Sequence, residues 1–307
     1  MTPSNSKIID PEGSEKYDYH KSVTAAMSDE RTSIRYTRDL NKYDRIKSNN
    51  AVLVAGFSGP GLVGSIGANY IIEKLGMHQI ACIDSEFIVP GVIYIGGKLR
   101  HPFRLYMNEQ ADIYVLECEA PIMIQGIHSV LNTATKWCVD NSIKKVFVLE
   151  GYPMRGIPSS GRQPIILSSD DKEQGEMPEK ARSSEIESTN NSNNQKRRIR
   201  KRQFENAFIG GISGGLLSAC LSNEIPCTAL LIPTVAGMPD PEGAASLIEI
   251  MGKITANEKL DLDAEQLRKE GAGLRKQMEE IIRSLQDQQQ LQQGGGDITD
   301  QRQVMYG

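Results

Sequence analysis

The stretch AVLVAGFSGPGLVGSIG, Ala51 to Gly67, decides the fold. It opens on an unbroken apolar run, AVLVAGF, the pattern of a strand buried on both faces. Gly59, Gly61 and Gly64 follow, and the apolar spacing of GLVGSIGANYIIEKLGM predicts a helix that begins inside the glycines. A buried strand that turns through glycine into a helix is the opening unit of an α/β layer fold.

Working outward, the same alternation continues. HQIACID, VIYIGGKL and FRLYMN read as strands, and ADIYVLECEA is the strongest strand in the chain. IQGIHSVLNTATKWCVDNS is an amphipathic helix and KKVFVLEGYP another buried strand. Residues 159–203 then offer almost nothing to bury, being rich in Ser, Asn and charge, which predicts disorder. FENAFIGGISGGLLSACLSNEIPCTALLIPTV resumes as strand, glycine turn, helix and strand, and DPEGAASLIEIMGKIT adds a helix with Asp240 as cap and Pro241 in its first turn. Upstream, TSIRYTRDL is a candidate first strand.

Leu267, Leu274 and Ile281 recur every seven residues, with Met278 and Leu285 between them, so a short heptad seam follows the core. Gly271 weakens one end and glutamines the other, and the helix is expected in an oligomer or packed on the core. The expected organisation is a flexible tail at 1–32, an α/β core at 33–258 interrupted by the 159–203 insertion, a helical or coiled-coil segment at 259–293 and a flexible tail at 294–307.

Composition narrows the function classes. The 307 residues carry a net charge of −4, which supplies no global attraction to nucleic acid or anionic membrane. The five cysteines form no C-x-x-C pair and suit a reduced, cytoplasmic setting. The N-terminus is polar and acidic, unlike a secretory signal, and no apolar run is long enough to span a membrane.

Several motifs have chemical readings. Gly59, Gly61 and Gly64 match the dinucleotide fingerprint, with Asp84 and Glu86 about twenty positions on, so that a helix N-terminus would hold pyrophosphate and Asp84 a ribose. Pro60 removes an N–H from that loop and no P-loop lysine follows, which favours a turn that only seats the helix. GISGG, Gly211 to Gly215, has the form of a nucleophile elbow at Ser213, but all four histidines precede it, against the chain order of that catalytic arrangement. Glu117 and Glu119 share a strand face and are expected to be solvated at its end, as are Asp84 and Glu86. The histidines show no metal-ligand spacing. KRRIRKR, Lys196 to Arg202, is read as a solvated part of an insertion that is acidic upstream.

The chain ends Met305-Tyr306-Gly307: hydrophobic, tyrosine, any residue, carboxylate. It follows Gly294–Gly296, a flexible hinge, and a coil from there reaches roughly 20 Å. An aromatic ring and a carboxylate at such a tip can wedge between two partner subunits, and several tails on one oligomer add avidity.

VLVAGFSGPGLVGSIGANYIIEKL, IDSEFIVPGVIYIGGKLRHPFRLY, VFVLEGYP, IGGISGGLLSAC and MPDPEGAASLIEIM, in that order, resemble the PAC2 family, the proteasome assembly chaperone 2-like proteins of archaea and eukaryotes. They cover most of 51–158 and 204–255. The tail makes the chain similar to the archaeal members that dock on the core proteasome without ATP. The resemblance implies a layered α/β/α sandwich akin to nucleoside phosphorylases, a homo-oligomer with a tetramer favoured, no catalysis and no cofactor. It implies that Met305, Tyr306 and Gly307 contact core proteasome α-subunits. The alternative is a nucleotide- or dinucleotide-binding enzyme using the Gly59–Gly64 turn. The long insertion departs from the compact family pattern and has no assigned role.

Overall fold

The computed structural model describes residues 8–9, 15–16, 31–37, 48, 50–95, 97–154, 162–170, 207–255, 257–274 and 276. Its centre is an eight-stranded sheet. Apart from a two-residue antiparallel pair, Ile8–Ile9 with Glu15–Lys16, the strands in chain order are β1 (Thr32–Tyr36), β2 (Val52–Phe57), β3 (His78–Ser85), β4 (Ile93–Ile95), β5 (Lys98–Arg100), β6 (Phe103–Met107), β7 (Ile113–Cys118), β8 (Lys145–Pro153), β9 (Ile165–Ser168) and β10 (Cys227–Thr234). β4 and β5 form a separate hairpin, and the others order across the sheet as β9-β10-β8-β2-β7-β6-β3-β1. The four central strands, β10, β8, β2 and β7, are parallel. The flanking strands are antiparallel.

Helices α1 (Val63–Lys74), α2 (Ile127–Asp140), α3 (Gly211–Ser222) and α4 (Pro241–Ile254) cover the sheet. Strand alternation sorts the core into two layers. Leu53, Ala55, Phe57, Leu116, Val146 and Val148 pack under α2 and α3. Val54, Val115, Phe147, Leu149, Leu230 and Ile232 pack under α1 and α4. The architecture is the expected α/β/α sandwich, and β2 is buried on both faces because helices cover both.

The glycines of the opening stretch make the strand-to-helix contact possible. A Cβ on Gly56 would lie 2.1 Å from the Gly64 carbonyl oxygen, and one on Gly64 2.6 Å from that of Leu149. Helix α1 therefore rests on the backbones of β2 and β8 at a distance that no side chain allows.

The structure revises several expectations. VIYIGGKL is a hairpin outside the main sheet rather than one strand. Residues 207–210 lead into α3 without forming a strand. The 159–203 insertion is interrupted by β9, which pairs antiparallel with the edge of β10. Ile165, Ile166 and Leu167 supply enough apolar surface for one edge strand, a local signal that the polar composition of the whole segment hides. Arg162 anchors its approach through a two-pronged ion pair with Asp240, at 2.6 and 2.7 Å. Asp240 also caps α4, accepting from the Gly243 N–H at 2.8 Å.

After α4, residues 265–274 form a fifth helix, α5. Leu267 packs into the α1–α4 layer, while Leu274 is exposed. A Cβ on Gly271 would lie 2.5 Å from the Glu242 nitrogen, so this glycine lets α5 lie close on α4. At Leu267 the heptad seam thus packs on its own core. Ile281, Leu285, Met278, the basic cluster Lys196–Arg202, the tail 294–307 and most of the tail 1–32 lie outside the described residues; within the latter Ile8–Ile9 pairs antiparallel with Glu15–Lys16.

Candidate functional site

The chain leaves β2 to form α1 on one face of the sheet. It leaves β8 and, by way of β9, forms α3 on the other face. Neighbouring parallel strands whose connections part to opposite faces open a crevice at their carboxyl ends, the usual place for ligands in such sheets. Here both glycine turns meet in that crevice. Gly59 and Pro60 come from the end of β2, Glu150 and Gly151 from the end of β8, and Gly210–Ser213 from the start of α3. They border a cleft of ≈ 540 Å³.

Glu150 is the central side chain. Its Oε1 accepts the Gly151 N–H at 3.0 Å, and its Oε2 accepts the hydroxyl of the buried Ser213. Burial pushes its carboxyl above the usual carboxylate range, and the bonds from Ser213 and Gly151 offset only part of that effect. A Cβ on Gly59 would stand 2.2 Å from Glu150 Oε1, so the first glycine turn is shaped around this carboxylate.

That arrangement bears directly on the dinucleotide fingerprint. The Gly59 N–H is spent on the Phe57 carbonyl at 2.9 Å and the Leu62 N–H on the Gly59 carbonyl at 3.0 Å, while Pro60 has none. An anionic side chain already stands where a pyrophosphate would approach. Gly61, at φ +65, turns its backbone against Thr234 rather than toward a ligand. Asp84 is not brought to the turn: β3 lies three strand positions from β2, ~14 Å at ordinary spacing. Its carboxylate is half exposed and pairs with Arg35 at 2.5 Å. Glu86 pairs likewise with Arg31 at 3.3 Å.

Ser213 sits near the N-terminus of α3, as the elbow pattern suggests, but its hydroxyl donates to a carboxylate rather than to a histidine. Sequence reasoning missed Glu150 itself. Its signal is a lone acid that ends an otherwise apolar parallel strand just before Gly151, with a second glycine turn downstream.

Glu117 and Glu119 correct the expectation of solvated carboxylates. Glu117 is 0 % exposed, and Arg104, equally buried, donates to it at 2.8 Å and to Glu119 at 2.6 Å. Asn69 of α1 donates a second bond to Glu117. Burial pushes the Glu117 carboxyl up to about 7, against the pull of Arg104. Burial alone would lower the Arg104 pKa, but the two carboxylates outweigh it and raise it. The reason for the miss is cross-strand: β6 lays Arg104 directly opposite Glu117 on β7. Among the described residues no group of three or more His, Cys, Asp and Glu side chains could hold a metal ion, and no helix is long and apolar enough to cross a membrane.

Comparison with known proteins decides the family. The PAC2 family model matches residues 53–282. The chain belongs to the PAC2 family. A protein of unknown function from Thermoplasma acidophilum has a solved structure that is 30% identical, covers 82% of this chain and 96% of its own, and superposes with a TM-score of 0.58. An uncharacterized Methanocaldococcus jannaschii protein, MJ0106, is 26% identical over 240 residues, 77% of this chain and 87% of that protein. Two Pyrococcus furiosus structures share the fold. PbaA, an archaeal homolog of proteasome-assembly chaperone, covers 86% of this PAC2 chain and 96% of its own at 20% identity and TM-score 0.62. PbaB, an archaeal proteasome activator, covers 83% and 99% at 18% identity and TM-score 0.60.

Proposed function

We propose that this PAC2 protein is a non-enzymatic proteasome-binding factor, an assembly chaperone or ATP-independent activator in the cytoplasm. In this reading a homo-oligomer, with a tetramer favoured, presents several flexible tails. Met305, Tyr306 and Gly307 of each tail dock between neighbouring α-subunits of the core proteasome. The carrying observation is PAC2 membership across residues 53–282, joined to a chain that ends hydrophobic–Tyr–X. The fold shared with PbaA and PbaB adds support, since those proteins are described as a proteasome-assembly chaperone homolog and a proteasome activator. Gate opening requires tighter binding of the tail to the open α-ring than to the closed one.

The Glu150 carboxylate beside the first glycine turn and the distance of Asp84 from it argue against the alternative, a dinucleotide enzyme using Gly59, Gly61, Gly64 and Asp84. A synthetic peptide of residues 301–307 tests the docking reading by competition. It is expected to displace the intact protein from the core proteasome, while the same peptide with Tyr306→Ala or with one residue added after Gly307 leaves the complex in place. Equal displacement by all three peptides contradicts the docking role of the ring and carboxylate.

A further inference from the structure

The cleft at the carboxyl ends of β2 and β8 has features that proteasome docking does not use, and its ligand chemistry is independent of that role. Its volume, ≈ 540 Å³, falls within the roughly 300–1,000 Å³ of small-molecule sites. Phe57, Tyr152, Ile165, Leu167, Phe208 and Ile209 contribute to its walls. These walls include β9 and the lead-in to α3, the described segments on either side of residues 171–206. Glu150 and Ser213 lie among these apolar groups.

Among the described side chains the formal charge of the cleft is one-sided. No lysine, arginine or histidine lines it among the described residues. Both contacts to the Glu150 carboxylate come from neutral donors, one on each oxygen. An ionised carboxylate accepts about four hydrogen bonds, so roughly two acceptor positions remain at the cleft. A phosphate or carboxylate ligand would meet Glu150 as a like charge. An ammonium group would instead restore the ionised form that burial disfavours, and aromatic walls add attraction for a cation.

We infer that this cleft binds a small organic cation, a primary ammonium group carried on an apolar body, with Glu150 as counter-charge and Ser213 as the hydroxyl that orients it. The ammonium donates to the open positions of the carboxylate. The apolar body lies along Phe57 and the inner side of β9.

The test uses the full chain and three probes of similar shape: 2-phenylethylamine, 2-phenylethanol and 3-phenylpropionate. Because a ligand that binds only the native state raises its stability, the melting temperature is followed against millimolar probe at pH 8. The amine is expected to give a saturable rise, the alcohol at most a small one and the carboxylate none. Glu150→Gln is expected to weaken amine binding at least tenfold while the circular dichroism spectrum is unchanged. Leu167→Trp narrows the cleft from the edge strand and leaves Glu150 intact. It is expected to abolish binding, and it carries the test should Glu150→Gln fold poorly. No rise with the amine, an equal rise with the alcohol, or undiminished binding in a folded variant overturns the inference.

Discussion

Glu117 and Glu150 occupy matching places and have opposite fates. Gly56, near the end of β2 before the glycines, pairs with Glu117 on one side and with Leu149, the neighbour of Glu150, on the other. Both acids therefore lie near the ends of strands that flank the first glycine turn. Glu117 is sealed in, with an arginine and an asparagine as donors. Glu150 has a serine hydroxyl and a backbone N–H and borders a cleft. A buried acid given its own cation is part of the scaffold. A half-buried acid left with neutral donors beside open space can accept a charge from elsewhere.

The largest effect that could break this contrast comes from Arg104. Arg104→Leu leaves Glu117 buried beside Glu119 without a cation, and a loss of ~3–5 kcal/mol in urea unfolding is expected. The sign of its pH dependence follows from the raised Glu117 pKa. The folded state holds this proton more tightly than the unfolded chain, whose ordinary value is 4.5, so stability falls as pH rises from 4.5 toward about 7. With Arg104 gone its pull no longer holds the Glu117 pKa down, so the loss relative to the intact protein should be smaller near pH 5 and grow as pH rises past 7. An equal loss at both values would show that Glu117 does not carry the penalty.

The glycines sharpen the contrast at intermediate size. On Gly64 a Cβ meets backbone, the Leu149 oxygen at 2.6 Å and the Phe57 nitrogen at 2.8 Å. On Gly59 it meets only the end of the Glu150 side chain. Gly64→Ala is expected to cost ~3 kcal/mol and Gly59→Ala ~1 kcal/mol by overpacking. Removing the carboxylate with Glu150→Ala should abolish the second penalty and leave the first. A double-mutant cycle by chemical denaturation measures both.

Smaller still is the effect of Glu150→Gln. The amide keeps the shape and cannot ionise, so a small gain in stability at pH 8 is expected. The carboxyl is raised, so the cost of its ionised form is present above the folded pKa and absent below the ordinary 4.5. The gain should therefore fade on acidification toward pH 4. Smallest of all is the response to NAD, NADP, FAD or ATP at millimolar concentration, for which calorimetry should find no rise in melting temperature.

The fold was legible wherever apolar periodicity ran long. AVLVAGF, ADIYVLECEA and KKVFVLEGYP lie in the described structure as the central strands, and the helix that starts in the first glycine turn is α1. Short elements were not legible. Ile165–Ser168 is too brief to stand out from the polar residues around it, and the Ile93–Arg100 hairpin reads as one strand because Gly96 and Gly97 fall inside a single apolar run. The site was half legible. Both glycine turns announce themselves, but that they meet around Glu150 depends on β8 lying between β2 and β10, and strand order is not written in any local stretch. The Arg104–Glu117 pair is hidden for the same reason, since it is made across a strand register.

Docking through the C-terminal tail is tested most directly by co-sedimenting the core proteasome of the same organism with the intact protein and with Tyr306→Ala. The intact protein is expected to travel with the proteasome and the variant to remain in the supernatant. Equal sedimentation of both, or of neither, would contradict tail docking.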